Sequence, residues 1–435
     1  MNLRDSLKIE NGRLKIGNYF CSDLVAKFGS PLYVMDAKYM KDVASSYVET
    51  MNSFGDGAVA FASKSFCSVA TSKLLAKQGM WFDAVSGGEV HVLDNAGVDL
   101  SCVIMHGNAK TYSELEYAIS KGVGLIVIDN YNEIERIQEI AEKLDEVQEV
   151  LVRVNPCVAA HTYEAVQTAV PNSKFGFNVF GDALDVITKI TKNYPNIVFK
   201  GLHCHVGSQI YDASAYTQAI DIMTDFMCKL RDAGILCDVL DFGGGFGIYY
   251  TNEDPKFTPK MYAEQLGRVC KLIRESFKNK NLKDAFIVSE PGRSIVGEAG
   301  ITLYTVQGIR DAADQHFVAV DGGMFDNPRH ALYESQYEAC VVDKADQKMD
   351  VTSTICGKCC ETGDIVTKNI PLQKAEVDDV VAVFSTGAYN YSMASHYNFN
   401  AIPAVVLVDG DKADYIVRPE SYDDLISRDI VPEWI

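Results

Sequence analysis

Short apolar segments alternate with amphipathic stretches between residues 57 and 290. Eight of these segments are rich in β-branched or aromatic residues, namely GAVAFAS from Gly57, WFDAV from Trp81, CVIMHG from Cys102, GLIVID from Gly124, VLVRVN from Val150, VFKGLHCHV from Val198, CDVLDF from Cys237 and AFIVSE from Ala285. The stretches between them, such as residues 213–231, carry apolar residues at helical spacing. Eight strands joined by helical crossovers predict an α/β fold, a (β/α)8 TIM barrel, for which about 250 residues is the usual size.

The pattern changes after Glu290, where strand-like segments follow one another with few helical stretches between them. The last of them, AVVLVDGDKADYIV, contains a hairpin turn at residues 409–411. The N-terminal LKIENGRLKIG has the same hairpin pattern around Asn11 and Gly12 and precedes the barrel. We therefore predict a barrel domain of residues 36–290. A β-rich domain of Greek-key or sandwich type would combine residues 1–35 with residues 291–435.

Composition and charge narrow the classes of partner. The chain has 435 residues, with 40 Lys plus Arg against 59 Asp plus Glu, so its net charge is −19. Such a charge disfavours binding to nucleic acid or to anionic membranes. The N-terminus lacks the apolar stretch of a signal peptide, and the 12 cysteines follow no disulfide framework. We expect a cytoplasmic protein that binds neither membranes nor nucleic acid.

Chemically active residues follow the predicted barrel strands. Barrel enzymes place their chemistry after the carboxyl ends of strands, often with a phosphate site after strands seven and eight. The residues at these ends are Lys64 after the first strand, Asp83 after the second, His106 after the third, His205 with Gly207 and Ser208 after the sixth, GGGFG after the seventh and the EPGR segment from Glu290 after the eighth. We expect a lysine, a histidine, an acid, an arginine and a glycine-rich loop to converge on one mouth.

Each of these features has an ordinary interpretation when taken alone. The glycines at 243–245 could form a plain tight turn, or their amides could wrap an anionic group. Lys64 could be a solvated charge, or a desolvated amine with a lowered pKa and high nucleophilicity. Glu290 follows an apolar strand and needs a cationic or N–H partner, which a protonated ring nitrogen would provide. Together the three features indicate a site for pyridoxal phosphate (PLP).

Seven motifs occur in order over nearly the whole chain: FASK, HCHVGSQI, DFGGGFGIYY, SEPGRSIVGEAG, VDGGMFDNPRHALY, CGKCCETGD and STGAYNYSMASHYN. In this order they resemble the diaminopimelate decarboxylases, which are PLP-dependent decarboxylases of fold type III with a barrel joined to a β domain. Two segments depart from the family pattern. Phe66 replaces the asparagine of the usual YAVKAN motif, and the loop after the fifth strand, which resembles a lid, has an unusual middle.

The resemblance assigns cofactor roles to the residues at the mouth. It implies that Lys64 binds PLP covalently, that His205 lies against the face of its ring and that Glu290 faces the pyridine nitrogen. The phosphate would be held by Ser208, Gly243, Gly244, Gly245 and the backbone of Gly292 and Arg293.

The resemblance also implies the reaction, decarboxylation of meso-2,6-diaminopimelate to L-lysine and carbon dioxide. Arg293, Arg329 and Tyr333 match positions that hold the distal carboxylate, Glu361 the position that meets the distal ammonium, and Tyr389 a position that contacts cofactor and substrate. Without the motif, Arg329 and Tyr333 could equally form a surface salt bridge and an ordinary packing contact. A decarboxylase for ornithine, lysine or arginine and a non-catalytic PLP-binding relative are the alternatives within this fold.

The segment CGKCCETGD, residues 356–364, places three cysteines in five positions. Cys356 and Cys359 have zinc-site spacing, but no second C-x-x-C or H-x3-H follows. By resemblance Cys360 is the general acid, delivered with Glu361 from a neighbouring subunit. That implies a homodimer with shared active sites and leaves Cys356 and Cys359 without a role.

His203 and His205 support an alternative from another class. An H-x-H pair on a barrel strand can hold a catalytic metal, so a metal-dependent barrel hydrolase remains possible on these residues alone. Gly207 and Ser208 suit phosphate better than metal. For His203 by itself, a packed histidine inside the barrel is the simpler interpretation.

Overall fold

The computed structural model describes residues 3–4, 6–158 and 173–435. The chain forms two compact units. The β unit comprises Met1–Met40, Tyr249–Lys256 and Ile295–Ile435, and the barrel unit comprises Lys41–Ile248 and Phe257–Ser294. None of the helices in the described part of the chain combines the length and the apolar character needed to cross a bilayer.

The N-terminal segment is a hairpin followed by a helix and a strand. Its elements are β1 (Leu7–Glu10), β2 (Arg13–Ile16), β3 (Tyr19–Phe20), α1 (Cys21–Phe28) and β4 (Leu32–Asp36). β1 and β2 are antiparallel. Asn11 and Gly12, in the turn between them, have φ values of 53° and 78°, as tight hairpin turns of this kind require. The predicted hairpin is confirmed.

The middle of the chain alternates strands and helices. In order these are α2 (Ala37–Ser53), β5 (Gly57–Ala62), α3 (Val69–Ala76), β6 (Trp81–Ala84), α4 (Gly87–Ala96), β7 (Val103–Met105), α5 (Tyr112–Ser120), β8 (Leu125–Ile128), α6 (Tyr131–Leu144), β9 (Gln148–Asn155), β10 (Phe177–Asn178), α7 (Ala183–Asn193), β11 (Ile197–His203), α8 (Thr217–Asp232), β12 (Val239–Asp241), α9 (Pro259–Asn279) and β13 (Phe286–Ser289). Each of the eight predicted strand segments overlaps one of these strands.

Parallel pairing closes eight of the strands into a ring. The order is β5-β6-β7-β8-β9-β11-β12-β13, and β13 pairs with β5 again, with Ile287 opposite Gly57. The short β10 adds to β9. Inside the ring, apolar side chains such as Ile104, Leu151 and Val288 form one buried cluster. The predicted barrel is confirmed, and its packed interior leaves the strand ends as the place for polar chemistry.

The C-terminal third is mostly strand. Its elements are α10 (Arg293–Val296), β14 (Gly300–Ala312), β15 (Gln315–Val320), α11 (Arg329–Tyr333), β16 (Ala339–Val341), β17 (Val351–Cys356), β18 (Ile365–Leu372), β19 (Val380–Phe384), β20 (Ala404–Asp409), β21 (Lys412–Val417) and α12 (Tyr422–Ile426). The sheet order is β18-β17-β15-β14-β4-β20-β21, and β19 pairs with β14 and β16. The predicted β-rich part of the fold is confirmed.

Two strands of this sheet were not predicted from the pattern, β4 and β18. All five residues of β4 are buried, so its sequence lacks the alternation that marks a half-buried strand. β4 lies between β14 and β20, antiparallel to the first and parallel to the second. The hairpin residues Leu7, Leu14 and Ile16 share a core with β-unit residues such as Val406.

Candidate active site

Lys64 lies just beyond β5, in a 3-10 turn formed by Ser63–Ser65. Its side chain is 44% exposed, and Nζ is 3.7 Å from Oδ2 of Asp83, at the carboxyl end of β6. A nearby carboxylate stabilises the ammonium form of a lysine. Of the two alternatives for Lys64, this geometry favours the solvated amine over the desolvated one, because the turn carries the side chain past the apolar strand and beside an acid.

Glu290 follows β13 and is buried. Its Oε1 accepts a hydrogen bond from Nε2 of His106 at 2.6 Å, and its Oε2 is 3.4 Å from Nε2 of His203. Burial alone would raise the pKa of Glu290, but the two histidines outweigh burial and hold that pKa well below its usual value. Glu290 was expected to need a cationic or N–H partner. Within the barrel, His106 donates a hydrogen bond to it and His203 lies 3.4 Å away.

Two histidine rings at the mouth, those of His203 and His205, have lowered pKa values. Burial is the main cause that lowers the pKa of His203 to about 3. The pKa of His205 also lies well below its usual value, through desolvation and then the charge of Lys64. The His205 ring lies against Gly243, where a Cβ atom would be 2.6 Å from Nδ1. A neutral imidazole in this place suits contact with the face of an aromatic ring.

The glycine-rich loop after β12 is held mainly through its carbonyl groups. Gly243 O accepts from Glu290 N at 2.8 Å, and Gly244 O accepts from the Tyr216 hydroxyl at 2.7 Å. Gly243 and Gly245 have φ values of 73° and 102°, a region that favours glycine. No described residue accepts a hydrogen bond from the amides of Gly244 and Gly245. Such amides suit a phosphate group.

Arg293 and Ser208 lie beside one another at this mouth. Nη2 of Arg293 donates to Oγ of Ser208 at 3.1 Å, and Arg293 is buried. A Cβ atom on Gly292 would lie 2.9 Å from the side chains of Ala62 and Ser65, so this turn packs closely against the end of β5. Together with Lys64, these groups give the barrel unit an amine and an anion-binding set, so the residues present fit PLP.

Gly244→Ala is expected to weaken cofactor binding and to destabilise the barrel unit. The new Cβ would be 2.0 Å from the carbonyl oxygen of Glu290, so the backbone must shift. Overpacking of this kind costs about 1–3 kcal/mol. Thermal unfolding and a PLP titration would measure both effects. Gly308→Ala is the control, because nothing lies within 4 Å of its added Cβ. Equal behaviour of the two variants would contradict the prediction.

In the β unit, Arg329 is buried at the start of α11. Its Nη1 donates to the Tyr337 hydroxyl at 2.9 Å, and its guanidinium carbon is 4.9 Å from the centre of the Tyr250 ring. Burial alone would lower the pKa of Arg329, but the neighbouring tyrosines outweigh burial and raise it. Arg329 forms no ion pair within the described chain, so the alternative of a surface salt bridge is wrong. Tyr333, at the other end of α11, is 43% exposed.

Tyr389 follows β19 in a strained backbone conformation. Its φ of 61° lies in the left-handed region, which costs about 1–3 kcal/mol for a residue of this kind when it is held there. The next residue, Asn390, is buried and donates to the carbonyl of Thr386 at 3.0 Å. Tyr389 is close enough to Arg329 to contribute to its electrostatic environment. Strain of this kind is typical of functional positions.

The cysteine loop connects β17 to β18 and has a fixed backbone. The carboxylate of Asp364 accepts from the amide of Cys359 at 2.6 Å, and the amide of Cys360 donates to Oδ1 of Asn398 at 2.8 Å. The side chains of Cys360 and Glu361 are nevertheless exposed. The loop therefore presents these two side chains on the surface of the β unit.

One cluster in the described chain has the composition of a metal site. Within residues 3–4, 6–158 and 173–435, a single group of three or more His, Cys, Asp or Glu has ligand atoms within 4.8 Å of one another: His106, His203, Asp241 and Glu290. His205 is not part of this group, so the H-x-H pair does not form one set of ligands. The cysteine loop is not part of it either. Within that loop, the pKa of the Cys359 thiol is raised to about 11, mainly by burial and then by the nearby charge of Asp364.

Three residues of the site received no role from the sequence: Asp83, His106 and Asp241. They contact Lys64, Glu290 and Gly243 respectively. The available signal was their position, since each lies at or just after the carboxyl end of a barrel strand. The middle of the predicted lid, residues 159–172, lies outside the described residues.

Comparisons with known proteins identify the family to which the chain belongs. The family model described as "Pyridoxal-dependent decarboxylase, pyridoxal binding domain" matches residues 40–297. The diaminopimelate decarboxylase of Bacillus methanolicus is 39% identical over 94% of this chain and 95% of its own length. That of Bacillus subtilis (strain 168) is 38% identical over 97% and 96%. The solved structure of the M. jannaschii enzyme in complex with L-lysine has a TM-score of 0.91 at 33% identity, over 98% of both chains. The chain belongs to the diaminopimelate decarboxylases, a family of PLP-dependent decarboxylases.

Proposed function

We propose that this protein decarboxylates meso-2,6-diaminopimelate to L-lysine and carbon dioxide. The observation that carries the choice of substrate is Arg329, a buried guanidinium that donates to the Tyr337 hydroxyl and forms no ion pair within the described chain. A buried cation of this kind calls for an anionic partner. The distal carboxylate of diaminopimelate is such a partner, and ornithine and lysine have no second carboxylate to offer.

The barrel mouth holds the cofactor. PLP, when bound, accepts the electron pair that remains on the α-carbon as carbon dioxide leaves. Lys64 would provide the amine for covalent attachment, and Asp83 lies 3.7 Å from that amine. Glu290 would face the pyridine nitrogen, and His106 orients the Glu290 carboxylate through the 2.6 Å hydrogen bond. Ser208, Gly243, Gly244, Gly245, Gly292 and Arg293 would hold the phosphate, and His205 would lie against the ring.

The reacting carboxylate must leave, so binding energy has to come from the far end of the substrate. Arg293, Arg329 and Tyr333 hold the distal carboxylate, and Glu361 meets the distal ammonium. Tyr389 contacts both cofactor and substrate. A charge-assisted hydrogen bond is worth about 1.5–3 kcal/mol, which corresponds to roughly 10- to 150-fold in kcat/KM.

Cys360 is the general acid that protonates the α-carbon after decarboxylation. The loop that carries it is rigid in its backbone and exposed at Cys360 and Glu361, which suits delivery to the site of a neighbouring subunit. Large exposed apolar side chains also cluster in residues 422–435, among them Tyr422 and Trp434, each 84% exposed. Exposed apolar clusters are typical of protein interfaces. We infer a homodimer with shared active sites, in the cytoplasm, with no nucleic acid or membrane partner.

The test is a carbon dioxide release assay across meso-diaminopimelate, lysine, ornithine and arginine. We expect kcat/KM for meso-diaminopimelate to exceed the others by about 10-fold or more, because only this substrate has a second carboxylate that can bind the buried arginine. Arg329→Lys keeps the charge but loses the planar fork, so it should lose most of this preference. Faster turnover of ornithine or lysine by the wild type would contradict the proposal and identify that amino acid as the better substrate. No release from any substrate would indicate a non-catalytic relative.

A further inference from the structure

Asp241 is the last residue of β12 and is completely buried. Its Oδ1 accepts a hydrogen bond from the amide of Gly243 at 2.8 Å, which fixes the first residue of the glycine-rich loop. Its backbone carbonyl accepts from the amide of Cys204 at 2.8 Å, so the residue is anchored to the neighbouring strand end as well. The chemistry proposed above gives this carboxyl group no part.

Two buried carboxyl groups face one another here. One oxygen of Asp241 and one of Glu290 lie within 4.8 Å, and Oδ2 of Asp241 has no hydrogen-bond partner among the described atoms. When two buried carboxyl groups lie this close together, ionising the second one costs far more free energy than ionising the first. Oε1 of Glu290 accepts from His106 at 2.6 Å, and its Oε2 lies 3.4 Å from Nε2 of His203, whereas Asp241 forms no ion pair with a described residue.

The proton therefore belongs to Asp241. Burial, followed by the charge of Glu290, raises the pKa of Asp241 well above its usual value. The histidines act in the opposite direction on Glu290 and lower its pKa. One acid of the pair is neutral and the other is ionised, and a neutral carboxyl group can donate where a carboxylate cannot.

We propose that Asp241 is a positioning residue that acts in its uncharged form: its O–H supports the Glu290 carboxylate while its other oxygen holds the Gly243 amide. One side chain would then set both ends of the cofactor site, the acid that faces the ring nitrogen and the loop that holds the phosphate. This inference rests on the proposed function for the identity of the cofactor. It assigns Asp241 no contact with substrate.

The two substitutions that test it are Asp241→Asn and Asp241→Ala, made in the full-length holoenzyme. Asparagine keeps the acceptor for Gly243 and a neutral donor toward Glu290, so cofactor affinity and kcat should stay within about 3-fold of wild type. Alanine leaves the buried Gly243 amide without its acceptor and removes the proposed donor to Glu290, and we expect the Kd for PLP to rise by roughly 5- to 150-fold. Its kcat should fall while KM changes little, because Asp241 does not touch the substrate.

Ser289→Ala is the matched control. Oγ of Ser289 donates to the carbonyl of Gly243 at 3.1 Å, so this variant disturbs the same loop without removing a carboxyl group. We expect its absorption spectrum with bound cofactor to match the wild type, whereas that of Asp241→Ala should shift because Glu290 is no longer held toward the ring. A merely structural support of the loop would give both variants the same spectrum, and that result would overturn the proposal.

Two further outcomes would also overturn it. Asp241→Ala could bind PLP as the wild type does, or Asp241→Asn could be as impaired as Asp241→Ala, which would mean that the negative charge is required. If Asp241→Ala does not fold, Asp241→Asn alone tests the proposal, because an uncharged side chain of the same shape should keep cofactor affinity and kcat close to wild type. Cofactor affinity and spectrum are measured without substrate. If the wild type released no carbon dioxide from meso-diaminopimelate, the proposed function would fail while these readouts still decided the role of Asp241.

Discussion

Lys64→Ala is expected to lower kcat for meso-diaminopimelate by on the order of 10⁴-fold or more, as loss of a covalent catalytic group does. It should also abolish the visible absorption band of lysine-linked cofactor. Lys64 projects from its 3-10 turn beside Asp83. Absorption spectra and reduction with borohydride would measure the covalent link directly, because reduction makes it permanent.

Lys73→Ala is the control for this experiment. Lys73 is exposed on α3, the helix that follows Lys64, and it should leave the absorption band and turnover unchanged. The phosphate site does not depend on Lys64, so Lys64→Ala should still bind PLP reversibly. A borohydride-trapped cofactor in Lys64→Ala would assign the covalent link to another lysine.

Much of the barrel could be predicted because parallel strands and their crossovers differ in periodicity. Each short apolar run became a strand of the closed ring, and the rule that chemistry follows strand ends led to Lys64, Glu290 and the glycine loop. Because the carboxyl ends of parallel strands meet at one end of a barrel, position along the chain carries information about position in space.

Side-chain partners could not be predicted in the same way. The hydrogen bond from His106 to Glu290 joins residues 184 positions apart, and its existence depends on rotamers and burial. The exposure of Lys64 follows from a 3-10 turn of three residues, which strand periodicity does not specify. The central strand β4 was missed because its five buried residues show no alternation and lie at the predicted domain boundary, outside the regular strand–helix repeat that marked the buried barrel strands.

Cys360→Ala is expected to bind PLP with unchanged affinity and to lower kcat by about 10²–10⁴-fold, the usual contribution of a general acid. The substitution removes a proton donor from the surface of the β unit, whereas the proposed cofactor ligands are mostly in the barrel unit. Cys359→Ala is the matched control, because its thiol lies one residue away and has no proposed role. Equal losses in the two variants would indicate damage to the loop rather than loss of the acid.

A mixture of Cys360→Ala and Lys64→Ala should recover activity if each site combines residues of two subunits. Random exchange makes about half of the dimers mixed, and each mixed dimer has one intact site, so about a quarter of wild-type activity is expected. The control mixture is Cys360→Ala with the double variant Lys64→Ala/Cys360→Ala, in which no site has both residues. It should stay inactive although its subunits exchange equally well. Recovery in the control, or none in the first mixture despite exchange shown by native mass spectrometry, would mean that Cys360 does not complete the site of its partner.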